Sequence, residues 1–328
     1  MTPRGNFEEG TSVLHIDSTL EKISESYRIP LPELTSLLEQ GRRRLFAGRE
    51  KRVRPGRDEK ILTAWNGLMI SGFMDGYKVT GDERYLKSGK EAASFVLGEM
   101  KRDHQLMRVF SGGKPQIKGY SEDYAFIIQA LIDLYEATFD MDWLKEANEL
   151  NEEMIRQFWD QEHGGFFFSG KENEPLIAQT KSPYDSAIPS ANSIAVPNLL
   201  KLGYLTNQDR LKEKAGQILR LFYKFLSEHP SGFGQMLSGL SFFLSPEEVG
   251  VVGSRNDPRT KSMLREIYQL YLPNKILSFR DPEVPIVPDW IPFLRHVKAT
   301  EAPATFLCRG FTCLPPVRDA AELRRALA

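Results

Sequence analysis

One pattern occurs three times along this chain, and it restricts the fold more than any other feature. A helix-forming stretch opening at Asn66-Gly67-Leu68-Met69 returns at Tyr124 and again at Asn192, in steps of 58 and 68 residues. In that register Asn66, Tyr124 and Asn192 are followed fifteen residues on by Gly81, Phe139 and Asn207. Nineteen on come Tyr85, Trp143 and Leu211, and twenty-three on the small residues Gly89, Ala147 and Ala215. Self-similarity on this scale marks stacked supersecondary units. Each unit reads as two helices. Leu68, Met69, Phe73 and Val79 fall on one and Tyr85, Phe95, Val96 and Met100 on the next. Between them Thr80-Gly81-Asp82 supplies a helix stop and an Asp N-cap. Phe139-Asp140-Met141-Asp142 and Thr206-Asn207-Gln208-Asp209 repeat the short turn, and short turns force antiparallel neighbours. The links between units are long: Asp103 to Gly119, then Asp160 to Pro189 with Gly164-Gly165-Phe166-Phe167-Phe168 inside it. Short turns therefore gather at one end of the stack, and every first helix begins at the other.

Outside the repeats the pattern changes twice. Residues 1 to 30 have little periodicity and read as an extended lead. Pro30 and Pro32 bracket the start of a helix through Leu34, Leu37, Leu38, Leu45 and Phe46, which ends in the basic run Arg49 to Arg57. That run reads first as a solvated helix end complementing the dipole, with an anionic-substrate site as the alternative. Phe233 to Leu244 carries one more apolar helix. Beyond Glu247, strands at Val249–Val252, Lys275–Phe279 and Ala304–Cys308 alternate with helices at Pro258–Tyr271 and Asp319–Leu327, the order of a small parallel α/β unit. The expected division is a lead and first helix over 1–50, helical hairpins over 51–246 and the α/β unit over 247–328. Gly253-Ser254 lacks the spaced glycines of a phosphate loop.

Composition excludes several function classes. With 43 basic and 44 acidic side chains and a net charge of -1, the chain shows no bias towards nucleic acid or a membrane surface. It contains no run of about 18 apolar residues that would span a bilayer. The N-terminal M-T-P-R-G-N-F-E-E-G has no apolar segment of a signal peptide, so a cytoplasmic protein is expected. Cys308 and Cys313 are the two cysteines, and reduced thiols that bind no metal are expected of them, with a redox pair as the alternative. His15, His104, His163, His229 and His296 are scattered without metal-ligand spacing, and His163 and His229 read as helix-end groups. No metal and no cofactor are expected.

The chemistry-bearing residues cluster where the repeat helices begin. Arg57, Asp58 and Lys60 precede Trp65 and Asn66; Glu122 and Asp123 precede Tyr124; Tyr184 and Asp185 precede Asn192. Helix N-termini favour carboxylates in any case, so three ordinary caps would give the same pattern. Each cluster also holds an aromatic ring, however, and rings beside carboxylates suit a sugar. Glycoside hydrolysis needs one protonated carboxyl and one ionised one, and Asp123, Asp185 and Glu122 are the catalytic candidates. Arg57, Asp58, Lys60, Trp65, Asn66, Tyr124, Tyr184 and Asn192 are the candidates for binding.

At these same residues the chain resembles a known family. The segments G-N-F-E-E-G (Gly5–Gly10), R-P-G-R-D-E-K-I-L-T-A-W-N-G-L-M (Arg54–Met69), E-D-Y-A (Glu122–Ala125), G-G-F-F-F, P-S-A-N-S (Pro189–Ser193) and C-R-G-F-T-C-L-P-P (Cys308–Pro316) resemble the C-terminal portion of the spermatogenesis-associated protein 20 family. The resemblance implies a mainly α fold, a partial (α/α)6 toroid of helical hairpins of the six-hairpin glycosidase-like kind, with a small C-terminal α/β unit. It also implies a sugar-type small molecule as ligand. A glycoside hydrolase-like activity is then preferred to a sugar epimerase, since no cluster holds the paired histidines of an epimerase. The alternative is a non-catalytic binding or scaffold module of a thioredoxin-like protein whose redox domain lies elsewhere. Where the family has Pro-Ser-Gly-Asn this chain has Pro189-Ser190-Ala191-Asn192, a methyl group added at a turn, which a positive φ there would disfavour. An arc of three hairpins leaves its flanks without neighbours. The chain is therefore expected to meet another chain supplying the missing toroid half and the thioredoxin-like domain, or to self-associate.

Overall fold

The computed structural model describes residues 5–283, 303–310 and 312–327. Contacts divide them into two units, one ending at Glu59 and the other beginning at Lys60. In the first unit, α1 (Leu20–Tyr27) starts at Thr19, whose hydroxyl accepts from Lys22 N, and stops at left-handed Arg28. The expected extended lead thus contains a helix, short but closed at both ends and packed on α2 (Leu31–Glu50). Within α2 only Leu34 is buried.

The second unit is built on the repeats. Three hairpins, α3–α4 (Thr63–Thr80, Glu83–Glu99), α5–α6 (Ser121–Thr138, Met141–Phe158) and α7–α8 (Ala191–Leu205, Asp209–Glu228), are followed by α9 (Gly234–Leu244). Helices α3, α5, α7 and α9 pack side by side in that order, and α4, α6 and α8 each lie outside their own partners. The result is a two-row arc of three α/α hairpins and a further inner helix. The rows differ as their sequences require. In α5 fifteen of eighteen residues are buried, whereas α8 buries a single stripe through Leu211, Ala215, Ile218, Leu219, Phe222 and Leu226.

The repeat register has a physical meaning at each position. Gly81, Phe139 and Asn207 all stand at positive φ (71°, 53° and 52°), the left-handed stop that ends or follows each inner helix. Gly89, Ala147 and Ala215 are buried, and at Gly89 a side chain would collide with Met74 of α3. Within the inner row α3 and α5 approach closely at Gly67 of α3. A Cβ there would sit 2.7 Å from the backbone carbonyl carbon of Phe126 in α5, nearer than packed atoms approach.

The first long link is a β-hairpin. β1 (Ile61–Leu62) and β2 (Lys101–Arg102) both pair antiparallel with β3 (Gln105–Ser111), which turns through Gly112-Gly113 into β4 (Lys114–Lys118). Beyond the helices, β5 (Glu247–Val252), α10 (Pro258–Gln269), β6 (Lys275–Arg280), β7 (Ala304–Arg309), β8 (Thr312–Cys313) and α11 (Ala320–Leu327) form the α/β unit. Its sheet is mixed rather than parallel as expected: β5 runs parallel to β6, but β7 is antiparallel to β5 and to β8. The cysteines also depart from expectation. Cys308 and Cys313 are disulfide-bonded, because the β7–β8 register sets them directly opposite with Cα atoms 4.0 Å apart.

The α/β unit packs on the inner row around a buried charge cluster. Lys201 Nζ of α7 lies 2.8 Å from Glu136 Oε1 of α5, and Lys78 Nζ of α3 is 4.0 Å from both Asp133 and Glu136. Burial pushes the Glu136 carboxyl up, but Lys201, Lys275 and Lys78 outweigh it and hold the group at about 2. Tyr268 of α10 donates to Glu136 O at 2.6 Å, and Phe279 of β6 stacks on Phe139 at 4.7 Å. Apolar side chains of the α/β unit, Val249, Ile267 and Leu277 among them, continue the core of the helices without a break.

Two outcomes are expected. Gly67→Ala should force α3 off α5 and cost about 1–3 kcal/mol, as overpacking does, read as a lowered denaturation midpoint. Glu136→Gln should cost about 3–5 kcal/mol, since it leaves buried lysines without their counter-charge. In the unaltered protein the Glu136 contribution is complete above its ordinary value of 4.5 and is lost as pH falls from there towards 2. Denaturant titrations of both proteins across pH 2–7 measure these effects.

Candidate functional site

The long-link end of the arc holds a cleft of about 170 Å³. Its walls come from the first turn of α5 (Ser121, Glu122), the Phe166–Phe168 stretch of the second link, and residues 182–192 leading into α7. Gly164 and Gly165, at φ 75° and 77°, turn the chain so that Phe166 and Phe168 reach this wall. Phe166 is fully buried, while Phe168 is 38% and Tyr184 58% exposed.

Glu122 is the carboxylate of the cleft, and Arg108 of β3 fixes it. Arg108 Nη1 donates to Glu122 Oε1 at 2.8 Å and to Asp123 Oδ2 at 3.2 Å, so the two carboxylates are no further apart than these distances together. The guanidinium also lies 4.9 Å from the ring centre of Tyr120, which stacks on Phe168 at 4.6 Å and 14°. A cation, a ring and a second ring therefore form one pile whose last member faces the cleft. Two carboxylates and burial act on Arg108: burial lowers its pKa, Asp123 and Glu122 raise it, and the net direction is up.

Asp123 sits beneath the cleft, with its side chain 1% exposed. Its Oδ1 accepts from Ala64 N at 3.1 Å, and Oδ2 from Tyr120 N at 2.8 Å. The first bond ties α3 to α5, and the second closes a capping box. Burial pushes its carboxyl up to about 6 against the pull of these N–H groups and of Arg108. Asp185 is likewise engaged: Oδ1 accepts from Ser190 N, and Oδ2 from Gln235 N and Met236 N at the start of α9. Asn192, 1% exposed, accepts from Phe166 N and donates to Phe166 O and Ser182 O.

Of the residues singled out from the sequence, the cleft gathers Glu122, Tyr184 and Asn192. Tyr124 is buried and its hydroxyl accepts from Leu106 N. Asn66 donates to Leu62 O at the start of α3, and Trp65 is 63% exposed outside the cleft lining. Lys60 is exposed ahead of β1. Arg57 and Asp58 lie in the first unit, where exposed Arg57 pairs with Glu59 at 2.6 Å. Ala191 opens α7 without a positive φ, so the extra methyl group is accommodated. Arg108, Tyr120 and the Phe168 face were not among the candidates. Arg108 carried no signal, since its position depends on strand register; Phe168 was visible in the Gly-Gly-aromatic run. His229 caps the end of α8 as expected, but His163 lies beyond the end of α6, in the second long link, 3.5 Å from Asp160. Among the described residues no helix is long and apolar enough to cross a membrane.

No family model matches the chain. Human spermatogenesis-associated protein 20 is 31% identical over 99% of this chain and 43% of its own length. An uncharacterised Caenorhabditis elegans protein is 28% identical over 98% of the chain and 45% of its own. The chain thus spans less than half the length of these relatives. Among solved structures, a Bacillus thermoamylovorans cellobiose 2-epimerase and a Bacteroides thetaiotaomicron GH76 α-mannanase both superpose with a TM-score of 0.44. Each covers 52% of this chain and 46% of its own, at 18% and 17% identity.

Asp123→Asn should remove an acceptor from buried N–H donors and lower stability by about 2–3 kcal/mol. Since its folded pKa is raised, the unaltered Asp123 favours the fold below its ordinary 3.8, and that contribution is lost as pH rises through about 6. The difference between the two proteins in thermal melts at pH 4 and pH 7 reads both effects.

Proposed function

We propose that this chain, a member of the spermatogenesis-associated protein 20 family by its sequence, binds a small sugar-type ligand in the cleft at the start of α5. The observation that carries this reading is Glu122, a carboxylate held in place by Arg108 beside the exposed faces of Phe168 and Tyr184. A fixed acceptor orients hydroxyl groups, and flat rings cover the apolar face of a pyranose. At about 170 Å³ the cleft is below the usual size of drug-sized pockets, which favours a single ring over an oligosaccharide.

Binding fits the geometry better than hydrolysis. Cleavage of a glycosidic bond requires two carboxyl groups that both touch the substrate. Asp123, its carboxyl raised to about 6 by burial, lies beneath the wall, and Asp185 spends both oxygens on backbone N–H groups. A hydrolase would need Asp123 to reach the cleft.

Titration calorimetry with a panel of monosaccharides, neutral and N-acetylated, tests the reading. At least one should bind with a Kd in the millimolar range or tighter, and Glu122→Gln should weaken it about tenfold or more with little change in melting temperature. Absence of binding by every sugar would refute the proposal and favour the scaffold alternative. Release of reducing sugar from aryl glycosides by the unaltered protein would instead establish hydrolysis.

A further inference from the structure

We propose that Cys308 and Cys313 form a reversible redox site that exchanges electrons with a dithiol reductant while the fold stays intact. The two residues are direct cross-strand partners in the β7–β8 hairpin. Backbone pairing holds that hairpin on both sides of the sulfur bridge. Arg309 pairs with Thr312 towards the turn; away from it, Leu314 N donates to Leu307 O, and Thr305 and Val317 exchange two N–H···O bonds of 2.8 and 2.9 Å. On its other edge β7 pairs with β5 along its whole length. The disulfide closes a loop of only four intervening residues, so it restricts the unfolded chain less than a long-range bridge would. In the folded hairpin the backbone pairing on both sides holds the two strands together independently of the bond.

The two sulfurs are also unequally placed. Cys308 is 6% exposed, whereas Cys313 is exposed on the short outer strand. An incoming thiolate therefore meets Cys313 Sγ. A new S–S bond forms there, the Cys308–Cys313 bond breaks, and Cys308 Sγ leaves as a thiolate that takes a proton from water. Opening by a monothiol stops at this mixed disulfide, since the Cys308 thiol opposite can attack Cys313 Sγ and expel the newcomer. A dithiol has a second thiol that attacks its own mixed disulfide instead. It is oxidised to a disulfide, Cys313 leaves as a thiol, and two electrons and two protons have passed to the protein. The class of reactant that fits this site is a dithiol, and an oxidised partner of the same class reverses the step.

The whole chain, purified in air, tests this. At roughly 1 mM dithiothreitol, well below the melting temperature, maleimide labelling should find two thiols per chain, and glutathione of equal thiol concentration should give less than about a tenth as many. Reduction should shift the melting temperature by no more than about 5 °C, and Cys313→Ser should melt within the same range. In the reduced chain iodoacetamide should alkylate Cys313 at least about tenfold faster than Cys308. A bond that resists dithiothreitol until the protein unfolds would overturn the proposal, as would two free thiols in the air-purified chain or equal alkylation rates. A Cys313→Ser chain that fails to fold would equally overturn it, because the bond would then be structural.

Discussion

Helix α5 is buried on nearly every side, and most of the architecture follows from what that burial demands. A helix in this position can carry polar groups only if each finds a partner inside the protein. It packs α3 on one flank, α7 on the other and α6 behind. Its four polar or charged positions of consequence fall in two groups, Glu122 and Asp123 at the first turn and Asp133 and Glu136 near the last. Each group recruits cations from the neighbours: Arg108 from the first link, and Lys78, Lys201 and Lys275 from α3, α7 and β6.

The two ends then do different things with the same physics. At the short-turn end the charges are enclosed, and the α/β unit closes over them through Tyr268 and Phe279. That unit lies where the inner helices would otherwise present polar groups to one another without cover. At the long-link end one carboxylate is buried and one is not. Asp123 fastens α3 to α5, and the same arginine that steadies it presents Glu122 to the cleft. The buried carboxylate and the cleft-facing one are sequence neighbours, and the direction each points from the helix decides between the two environments.

Much of the scaffold was legible in the sequence because it depends on local chemistry. The left-handed stops at Gly81, Phe139 and Asn207 and the small buried residues recur at fixed intervals whether or not their tertiary partners are known. The site was legible only in part. Glu122, Tyr184 and Asn192 could be placed at one end of the stack from helix starts alone. The work of Asp123 and Asp185 could not, since a carboxylate offered to a ligand and one consumed by N–H groups of another helix read alike. Arg108 and the disulfide depended on strand register, which four intervening residues between Cys308 and Cys313 do not reveal. The mixed sheet was missed for the same reason: a strand's direction relative to its neighbours is a tertiary property.

Native-state hydrogen exchange tests the role of α5 most directly. Amides from Ile127 to Tyr135 should exchange only through global unfolding, with the full stability of the protein as their opening free energy. Those of the outer helices α4 and α8 should open at lower free energy, with α2 the first to exchange. Exchange of the α5 amides as fast as those of α8 would contradict the account, because α5 would then open on its own and could not be the element on which the two charge clusters and the cleft depend.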